Sequence, residues 1–206
     1  MSGKAARRIF AVILVIIVSA PIYAGNEKSG TAMKKVDDFT LADYNGEQHS
    51  LSDYNEAKAI VLIFVSTQCP VSNAYNERMA KLNEDFEERG VVFLGINANV
   101  AEDVAQIKQH AKEHHLPFII LKDKGNVIAD KLEASVTPEV YVLNPKHEVL
   151  YHGRIDDSRN EEKVASEDTR KALEEILAGK EVSMARTKAF GCTIKRVTKA
   201  AKKPDL

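Results

Sequence analysis

Apolar residues along the middle of the chain alternate between two spacings, one typical of strands and one typical of helices. The runs at 59–65 and 91–96 contain no charged residue, which is typical of strands covered on both faces of a sheet. A further strand-like run lies at 118–121. Between these runs, apolar residues recur at helical spacing over 70–89 and 104–114. The pattern predicts an α/β domain with a central mixed sheet and helices on both faces.

Paired apolar runs separated by polar turns lie on either side of this region, and each pair predicts a β-hairpin. In the first pair, the runs at 39–41 and 48–51 flank a turn that contains Asn45-Gly46. In the second pair, the runs at 139–143 and 148–152 flank an Asn-Pro-Lys-His turn. The remaining predicted elements are helical: a single turn at 51–54, a short helix at 126–132 and an amphipathic helix at about 168–178.

The first residues differ from the rest of the chain in composition. A basic stretch ending at Arg8 precedes the apolar run 9–20, and Ala24 offers a small residue for cleavage. This layout predicts a signal peptide over 1–24 and export to the periplasm or the cell exterior. A membrane anchor formed by residues 9–20 is the alternative, although that run is short for a span. Once the signal is cleaved, no stable membrane contact is expected.

The rest of the chain divides into three parts by composition. Residues 25–35 are expected to be a flexible lead-in, 36–183 to form the domain, and 184–206 to form a basic tail that carries Cys192. The tail has seven Lys or Arg against one Asp but no interleaved aromatic pattern, so it is expected to be solvated and not to bind nucleic acid. The overall net charge of −1 gives no argument for a nucleic-acid partner either.

Metal-ligand spacing occurs at one pair of histidines. His110 and His114 are four residues apart, but no third ligand accompanies them. We therefore expect a solvated helix face at these histidines and no metal in this protein.

Cys69 stands at the junction of the strand run 59–65 and a helix that starts with Pro70, a residue favoured at the first helical position. Unpaired N–H groups and the positive end of the helix dipole favour the reactive thiolate there. This position predicts a reactive cysteine, and a buried inert thiol is the alternative. Ser72 stands where a second cysteine would complete Cys-x-x-Cys, so a resolving thiol has to come from elsewhere.

Two motifs make the chain resemble the thioredoxin-fold redoxins: Cys69-Pro-Val-Ser72 after one buried strand and Val136-Thr-Pro-Glu139 before another. The resemblance is to the peroxiredoxin-like branch of the alkyl hydroperoxide reductase/thiol-specific antioxidant group. It extends from about Val36 to Lys195 and includes three further segments: Ser66–Met79, Tyr151–Asp157 and Gly191–Lys195. It implies a thioredoxin-like three-layer fold with an N-terminal β-hairpin extension.

The resemblance also implies roles for residues around Cys69. Pro138 would form a cis peptide bond beside the thiol and shape the substrate face, and an ordinary strand-edge proline is the alternative. Cys192 would be the resolving thiol, and an unpaired tail cysteine is equally consistent with the sequence. Three residues would donate hydroxyl hydrogen bonds to the thiolate: Ser66, Thr67 and Ser72.

The chain departs from both family patterns. Thioredoxins carry Cys-x-x-Cys, which is missing here. Peroxiredoxins carry Pro-x-x-x-Thr/Ser-x-x-Cys, and here Ser66 fits but Leu62 stands at the proline position. Peroxiredoxins also use an arginine at about the place of Pro138. Arg78 or Arg154 could replace that arginine, although a surface or ion-pairing role is the default for each.

Three functions are consistent with these residues. Thiol–disulfide exchange is favoured by Pro138, peroxide reduction is favoured by the lone Cys69 with Ser66, and a non-enzymatic thioredoxin-fold binding module is the third. The expected partners are a thiol or disulfide protein, or a small-molecule peroxide, together with an external thiol reductant. No organic cofactor is expected.

Overall fold

Seven strands form the central sheet of the computed structural model, which describes residues 35–198. The signal predicted over 1–24 lies outside the described residues. The sheet order is β2-β1-β5-β4-β3-β7-β8, with β3–β4 and β4–β5 parallel and the other pairs antiparallel. These strands are β1 Thr40–Asp43, β2 Gln48–Ser50, β3 Ala59–Phe64, β4 Val91–Asn97, β5 Ile119–Lys122, β7 Glu139–Leu143 and β8 Val149–Gly153; β6 Val136–Thr137 and β9 Cys192–Thr193 form a separate pair.

Helices cover both faces of the sheet, as predicted. The five α-helices are α1 Pro70–Asn73, α2 Asn76–Glu87, α3 Val104–Glu113, α4 Val127–Leu132 and α5 Asp168–Leu177, and single 3-10 turns lie at Leu51–Tyr54, Lys124–Asn126 and Glu161–Lys163. None of the helices within residues 35–198 has the length and apolar character needed to cross a bilayer.

Alternate side chains of β3 divide the core into two clusters. Val61 and Ile63 pack with residues of α2, α3 and α5. Ile60, Leu62 and Phe64 pack with residues of α4 and of the 3-10 turn Leu51–Tyr54. All six residues of β3 are fully buried. Burial on both faces explains why the strand reads as one continuous apolar run.

The structure corrects the helix predicted over 70–89. The chain forms α1 and α2 with a break at Ala74 and Tyr75, where Tyr75 N–H bonds the carbonyl of Ser72, three residues back. The side chain of Tyr75 is buried, and its hydroxyl donates to Asp156, 81 residues later, at 2.7 Å. A distant partner therefore fixes the conformation at a point where local spacing predicts a continuous helix.

The prediction of a solvated histidine face on α3 is also wrong for His110. Its side chain is buried and its Nε2 lies 3.2 Å from the amide nitrogen of Asn76. Burial, together with the charge of the neighbouring His114, lowers the pKa of His110. The residue therefore contributes to the packing of α3 against α2.

The described part of the C-terminal tail, 184–198, lies along the domain, and we refer to it as the arm. For these residues the prediction of a solvated tail is wrong, because the arm pairs with β6 and buries Ile194. At its start, Thr187 N–H bonds the carbonyl of His152 on β8 at 3.0 Å. Gly153 has no room for a Cβ here, because that atom would collide with Thr187. Further along, the arm reaches β6 and pairs with it through β9.

Candidate active site

Cys69 caps the N-terminus of α1 immediately after the loop that follows β3. Its backbone is extended, Pro70 occupies the first helical position, and Ser72 N–H donates to the Cys69 sulfur at 3.3 Å. The side chain is 3% exposed. Because α1 has only four residues, its dipole is small, and the direct N–H contact is the interaction that would stabilise a thiolate.

Cys69 and Cys192 form a disulfide, with their Cα atoms 5.8 Å apart and a sequence separation of 123. The strand pair β6–β9 brings them together, because Cys192 lies opposite Thr137 and Thr193 lies opposite Val136. Cys192 is half-buried, whereas Cys69 is fully buried beneath it. The arm therefore carries the second thiol to the sulfur of the first.

Pro138 directly follows this strand pair, and the Thr137–Pro138 peptide bond is cis. The carbonyl oxygen of Thr137 lies 3.3 Å from the Cys69 sulfur. Thr137 therefore contacts both cysteines. Its carbonyl oxygen lies near the Cys69 sulfur, and its main chain pairs with Cys192. A Cβ on Gly191, the residue before Cys192, would collide with this same carbonyl.

Ser66, Thr67 and Ser72 form hydrogen bonds that stabilise the loop before α1, and not the predicted hydroxyl bonds to the Cys69 sulfur. Ser66 Oγ donates to Glu102 at 2.5 Å and accepts the N–H of Cys69 at 3.0 Å. Ser72 Oγ accepts the N–H of Ser66 at 3.2 Å, and Thr67 N–H donates to Glu102 at 2.7 Å. The contact with sulfur comes from the main chain of Ser72 instead of a hydroxyl.

Glu102 is a residue of the site that the sequence reasoning missed. Its side chain is 3% exposed and accepts hydrogen bonds from Ser66, Thr67 and Asn97, the last at 2.6 Å. It follows β4, whose carboxyl end lies beside the carboxyl end of the parallel strand β3. An acidic residue shortly after β4 was therefore the available signal, since such residues meet the loop after β3 at one edge of the sheet.

Lys122, on β5, belongs to the same network of buried polar residues as Glu102 and Asn97. Its ammonium donates to the side-chain oxygen of Asn97 at 3.0 Å and to the carbonyl of Asn99 at 2.7 Å. Burial lowers the pKa of Lys122, and the charges of Glu102 and Asp123 oppose this shift. The loop that carries Cys69 thus rests on a buried hydrogen-bonded network that extends across three neighbouring strands.

Comparison of the sequence with protein families identifies the family of this chain. Residues 32–152, more than half of the sequence, match the AhpC/TSA family. The chain belongs to the AhpC/TSA family. The matched segment of this AhpC/TSA protein contains Cys69 and Pro138, whereas the arm with Cys192 lies beyond it.

Curated relatives include both kinds of thiol chemistry. The chain is 30% identical over 112 residues to the thiol-disulfide oxidoreductase ResA of Halalkalibacterium halodurans, covering 54% of this chain and 62% of the relative, which is less than two thirds of its length. It is 27% identical over 144 residues to ResA of Geobacillus kaustophilus, covering 68% and 81%. Chloroplastic peroxiredoxin Q of Oryza sativa subsp. japonica is 27% identical over 137 residues, covering 63% and 60%. These relatives support the prediction of a thiol-based oxidoreductase of either kind.

Solved structures confirm the thioredoxin-like fold. A hypothetical protein from Sinorhizobium meliloti 1021 superposes with a TM-score of 0.77 at 28% identity, covering 82% of this chain and 96% of that one. A putative thiol:disulfide interchange protein DsbE from Chlorobium tepidum has a TM-score of 0.57 at 15% identity, covering 72% and 96%. A putative thioredoxin from Neisseria meningitidis has a TM-score of 0.52 at 19% identity, covering 59% and 79%. The last two likenesses concern the fold alone.

Both candidate arginines of this AhpC/TSA protein pair with acids rather than with Cys69. Arg78 donates to Asp156 at 2.5 Å and to the carbonyl of Ser158 at 2.8 Å. Arg154 donates to Asp168 at 2.6 Å. The guanidinium of Arg78 also lies over the ring of Tyr75, 3.7 Å from its centre. Arg78 therefore stabilises the break between α1 and α2, and both arginines are engaged in ion pairs, the default role expected for them.

Glu139 fixes the turn that contains the cis-proline. Its carboxylate accepts the N–H groups of Ser135 at 2.8 Å and Val136 at 3.1 Å, and it lies 2.6 Å from Nε2 of His152. Burial alone would raise the pKa of Glu139, but these hydrogen bonds and the interaction with His152 hold it below its usual range. The ionised carboxylate thereby stabilises β6, the strand that pairs with the arm.

One group within residues 35–198 has side chains close enough to share a metal ion. Asp43, Glu47 and His49 of the β1–β2 hairpin have donor atoms within 4.8 Å of one another. Asp43 already accepts the N–H groups of Asn45 at 2.7 Å and Glu47 at 2.9 Å, as expected for a carboxylate that closes a turn. The group belongs to the edge hairpin and not to the elements around Cys69.

Proposed function

We propose that this protein is an exported thiol–disulfide oxidoreductase in which Cys69 is the nucleophile and Cys192 the resolving thiol. The observation that carries the proposal is the Cys69–Cys192 disulfide, formed beside Pro138 across the β6–β9 pair. The names of the ResA relatives agree with this chemistry. Export is proposed from the sequence pattern of residues 1–24 alone.

The reaction begins with the reduced protein. The Cys69 thiolate, stabilised by the N–H of Ser72, attacks one sulfur of a substrate disulfide, and the other sulfur leaves as a thiolate. The Cys192 thiolate then attacks the Cys69 sulfur of the mixed disulfide, which releases the second substrate thiol and leaves the Cys69–Cys192 disulfide. An external thiol reductant restores both thiols. Because Cys192 is the more exposed of the two residues, we expect that reductant to attack Cys192 first.

Peroxide reduction is the second candidate. The large separation of Cys192 from Cys69 in sequence favours it. In this scheme the Cys69 thiolate attacks one peroxide oxygen, the O–O bond breaks, and the other oxygen leaves as an alcohol or as water while Cys69 becomes a sulfenic acid. The Cys192 thiol then condenses with the sulfenic acid to form the disulfide and water. The peroxiredoxin Q relatives agree with such chemistry. The pairing of Arg78 with Asp156 and of Arg154 with Asp168 argues against it, because each cation is already neutralised by a carboxylate.

The test compares reduced wild type with Cys192→Ser after exposure to oxidised glutathione or to one equivalent of hydrogen peroxide. Exchange chemistry predicts a glutathione adduct on Cys69 in the variant and an internal disulfide in the wild type, both seen by intact mass. Peroxidase chemistry predicts a sulfenic acid on the variant that a dimedone probe traps. If Cys69 reacts with neither oxidant faster than in the urea-denatured protein, both enzyme functions are ruled out.

Export has its own test. Expression of the full chain in a bacterial host, followed by N-terminal sequencing of the mature protein, should place the first residue at Gly25. An intact Met1 on protein recovered from the membrane fraction would support an anchor formed by residues 9–20 instead.

A further inference from the structure

The end of the arm is bound to the domain as an extended strand. Cys192 pairs with Thr137 and Thr193 with Val136, and Ile194 N–H donates to the carbonyl of Ser135 at 3.0 Å. This is the geometry of strand addition, in which main-chain hydrogen bonds hold an extended segment and pockets select alternate side chains. The arm therefore shows which kind of polypeptide this edge accepts.

Each position of the bound segment meets a different surface. The ring of Phe190 packs edge-on against Tyr75, with 6.3 Å between ring centres. Gly191 lies so close to the Thr137 carbonyl that no Cβ fits. The next side chains alternate, because Thr193 is exposed and Ile194 is 3% exposed within the core cluster that includes α4. The site thus has an aromatic position, a position restricted to glycine, the reacting cysteine, an open position and a branched aliphatic position.

We propose that this edge is a binding site for an extended segment of a partner polypeptide with the pattern aromatic–Gly–Cys–any residue–branched aliphatic. The arm occupies the site in the oxidised protein, and reduction of the Cys69–Cys192 disulfide allows a partner strand to replace it. The partner's cysteine then lies where Cys192 lies, against the Cys69 sulfur. This inference rests on the proposed function, since it assigns the substrate class of the same nucleophile.

The arm is held by contacts that a partner strand has to compete with. Lys195 N–H donates to the side-chain oxygen of Asn99 at 2.8 Å, and Val100 N–H donates to the carbonyl of Lys195 at 2.9 Å. Neither bond involves a cysteine, so we expect both to persist after reduction and to lower the rate for every partner by the same factor. The ratio of rates between two partners therefore reports the selectivity of the edge itself.

The experiment uses reduced, full-length Cys192→Ser and two capped peptides whose cysteine is activated as a disulfide with thionitrobenzoate. One peptide is Phe-Gly-Cys-Thr-Ile, and the other has valine in place of glycine. The Cys69 thiolate attacks the peptide sulfur, the S–S bond to thionitrobenzoate breaks, and the coloured thionitrobenzoate thiolate leaves. Its absorbance gives the rate, and the same peptides with free glutathione give the intrinsic reactivity of each.

After correction for that reactivity, the glycine peptide is expected to react at least about tenfold faster, since forcing a side chain against backbone costs this much or more. Equal corrected rates would overturn the binding site while a fast reaction of Cys69 with Ellman's reagent leaves the proposed function in place. Absence of both reactions would overturn the proposed function itself.

A second pair of variants tests whether arm and partner compete. In the Cys192→Ser background, Ile194→Ala removes a buried anchor of the arm and should speed the reaction of the glycine peptide by several-fold. Val197→Ala is the matched control, because the side chain of Val197 is 49% exposed, and it should leave the rate unchanged. Equal rates for the two variants would show that the peptide does not use the site of the arm.

Discussion

Reduction of the Cys69–Cys192 disulfide should lower the free energy of unfolding by several kcal/mol. The two cysteines are 123 residues apart, so the bond closes most of the domain into one loop. In the chain-entropy description, a loop of this length removes about 16 cal/mol/K from the unfolded state, or about 5 kcal/mol at 25 °C. That is a large fraction of the roughly 5–15 kcal/mol that stabilises a typical domain.

Urea titration monitored by circular dichroism measures the effect. We compare the oxidised wild type, the wild type kept reduced with excess dithiol, and Cys192→Ser. With a urea slope of about 2 kcal/mol/M, the oxidised protein should unfold at a midpoint roughly 2.5 M above the other two. The reduced wild type and the variant should agree closely, because each has the arm but lacks the cross-link.

A difference below about 1 kcal/mol between oxidised and reduced wild type would refute this account of the cross-link. A variant far less stable than the reduced wild type would refute it in another way, since the loss would then come from the side chain at position 192. The reduced wild type and the variant should share one slope, whereas the oxidised protein should have a smaller slope because the cross-link keeps its unfolded chain more compact. The free energy of each protein is therefore calculated with its own slope.

Three further predictions concern single residues. Glu102→Ala should slow the reaction of Cys69 with Ellman's reagent and cost about 1–3 kcal/mol of stability, because three donors lose their acceptor. Glu102→Gln should cause a smaller loss of reaction rate and of stability. Gly191→Val should leave both thiols alkylatable after mild oxidation, since the added side chain collides with the main chain of β6. Glu139 has a lowered pKa, so its contribution to stability is complete above the unfolded value of about 4.3 and is lost as pH falls through the lower folded value. Thermal unfolding of Glu139→Gln should therefore depend less on pH in that acidic window.

Local patterns sufficed to predict the central strands and the place of Cys69. The run at 59–65 is apolar because both of its faces are buried, so burial was readable from composition alone. The break at Tyr75 was not predictable in this way, because the hydrogen-bond partner of the Tyr75 hydroxyl is Asp156, 81 residues further along the chain. Helical spacing reports which face is apolar and does not report where a distant hydrogen bond interrupts the helix.

The candidate site was predictable to the extent that it depends on single residues. Ser66 was correctly placed beside Cys69, but its hydroxyl is directed to Glu102, a partner that only the tertiary fold brings near. The pairing of Cys69 with Cys192 also had to stay open at that stage, because spacing of two cysteines does not reveal their distance in space. Each of these uncertainties was resolved by contacts between segments far apart in sequence.

The position of Cys192 beyond the matched residues 32–152 has a consequence for modularity. In the proposed reaction, the nucleophile lies in the loop after β3, whereas the resolving thiol comes from a separate segment attached partly by main-chain hydrogen bonds. The two proposed reacting thiols are thus encoded by separate segments of the chain, one inside and one outside the matched region. Grafting a different arm after β8 and α5 should retune how the enzyme is regenerated while leaving the attacking thiol in its original surroundings.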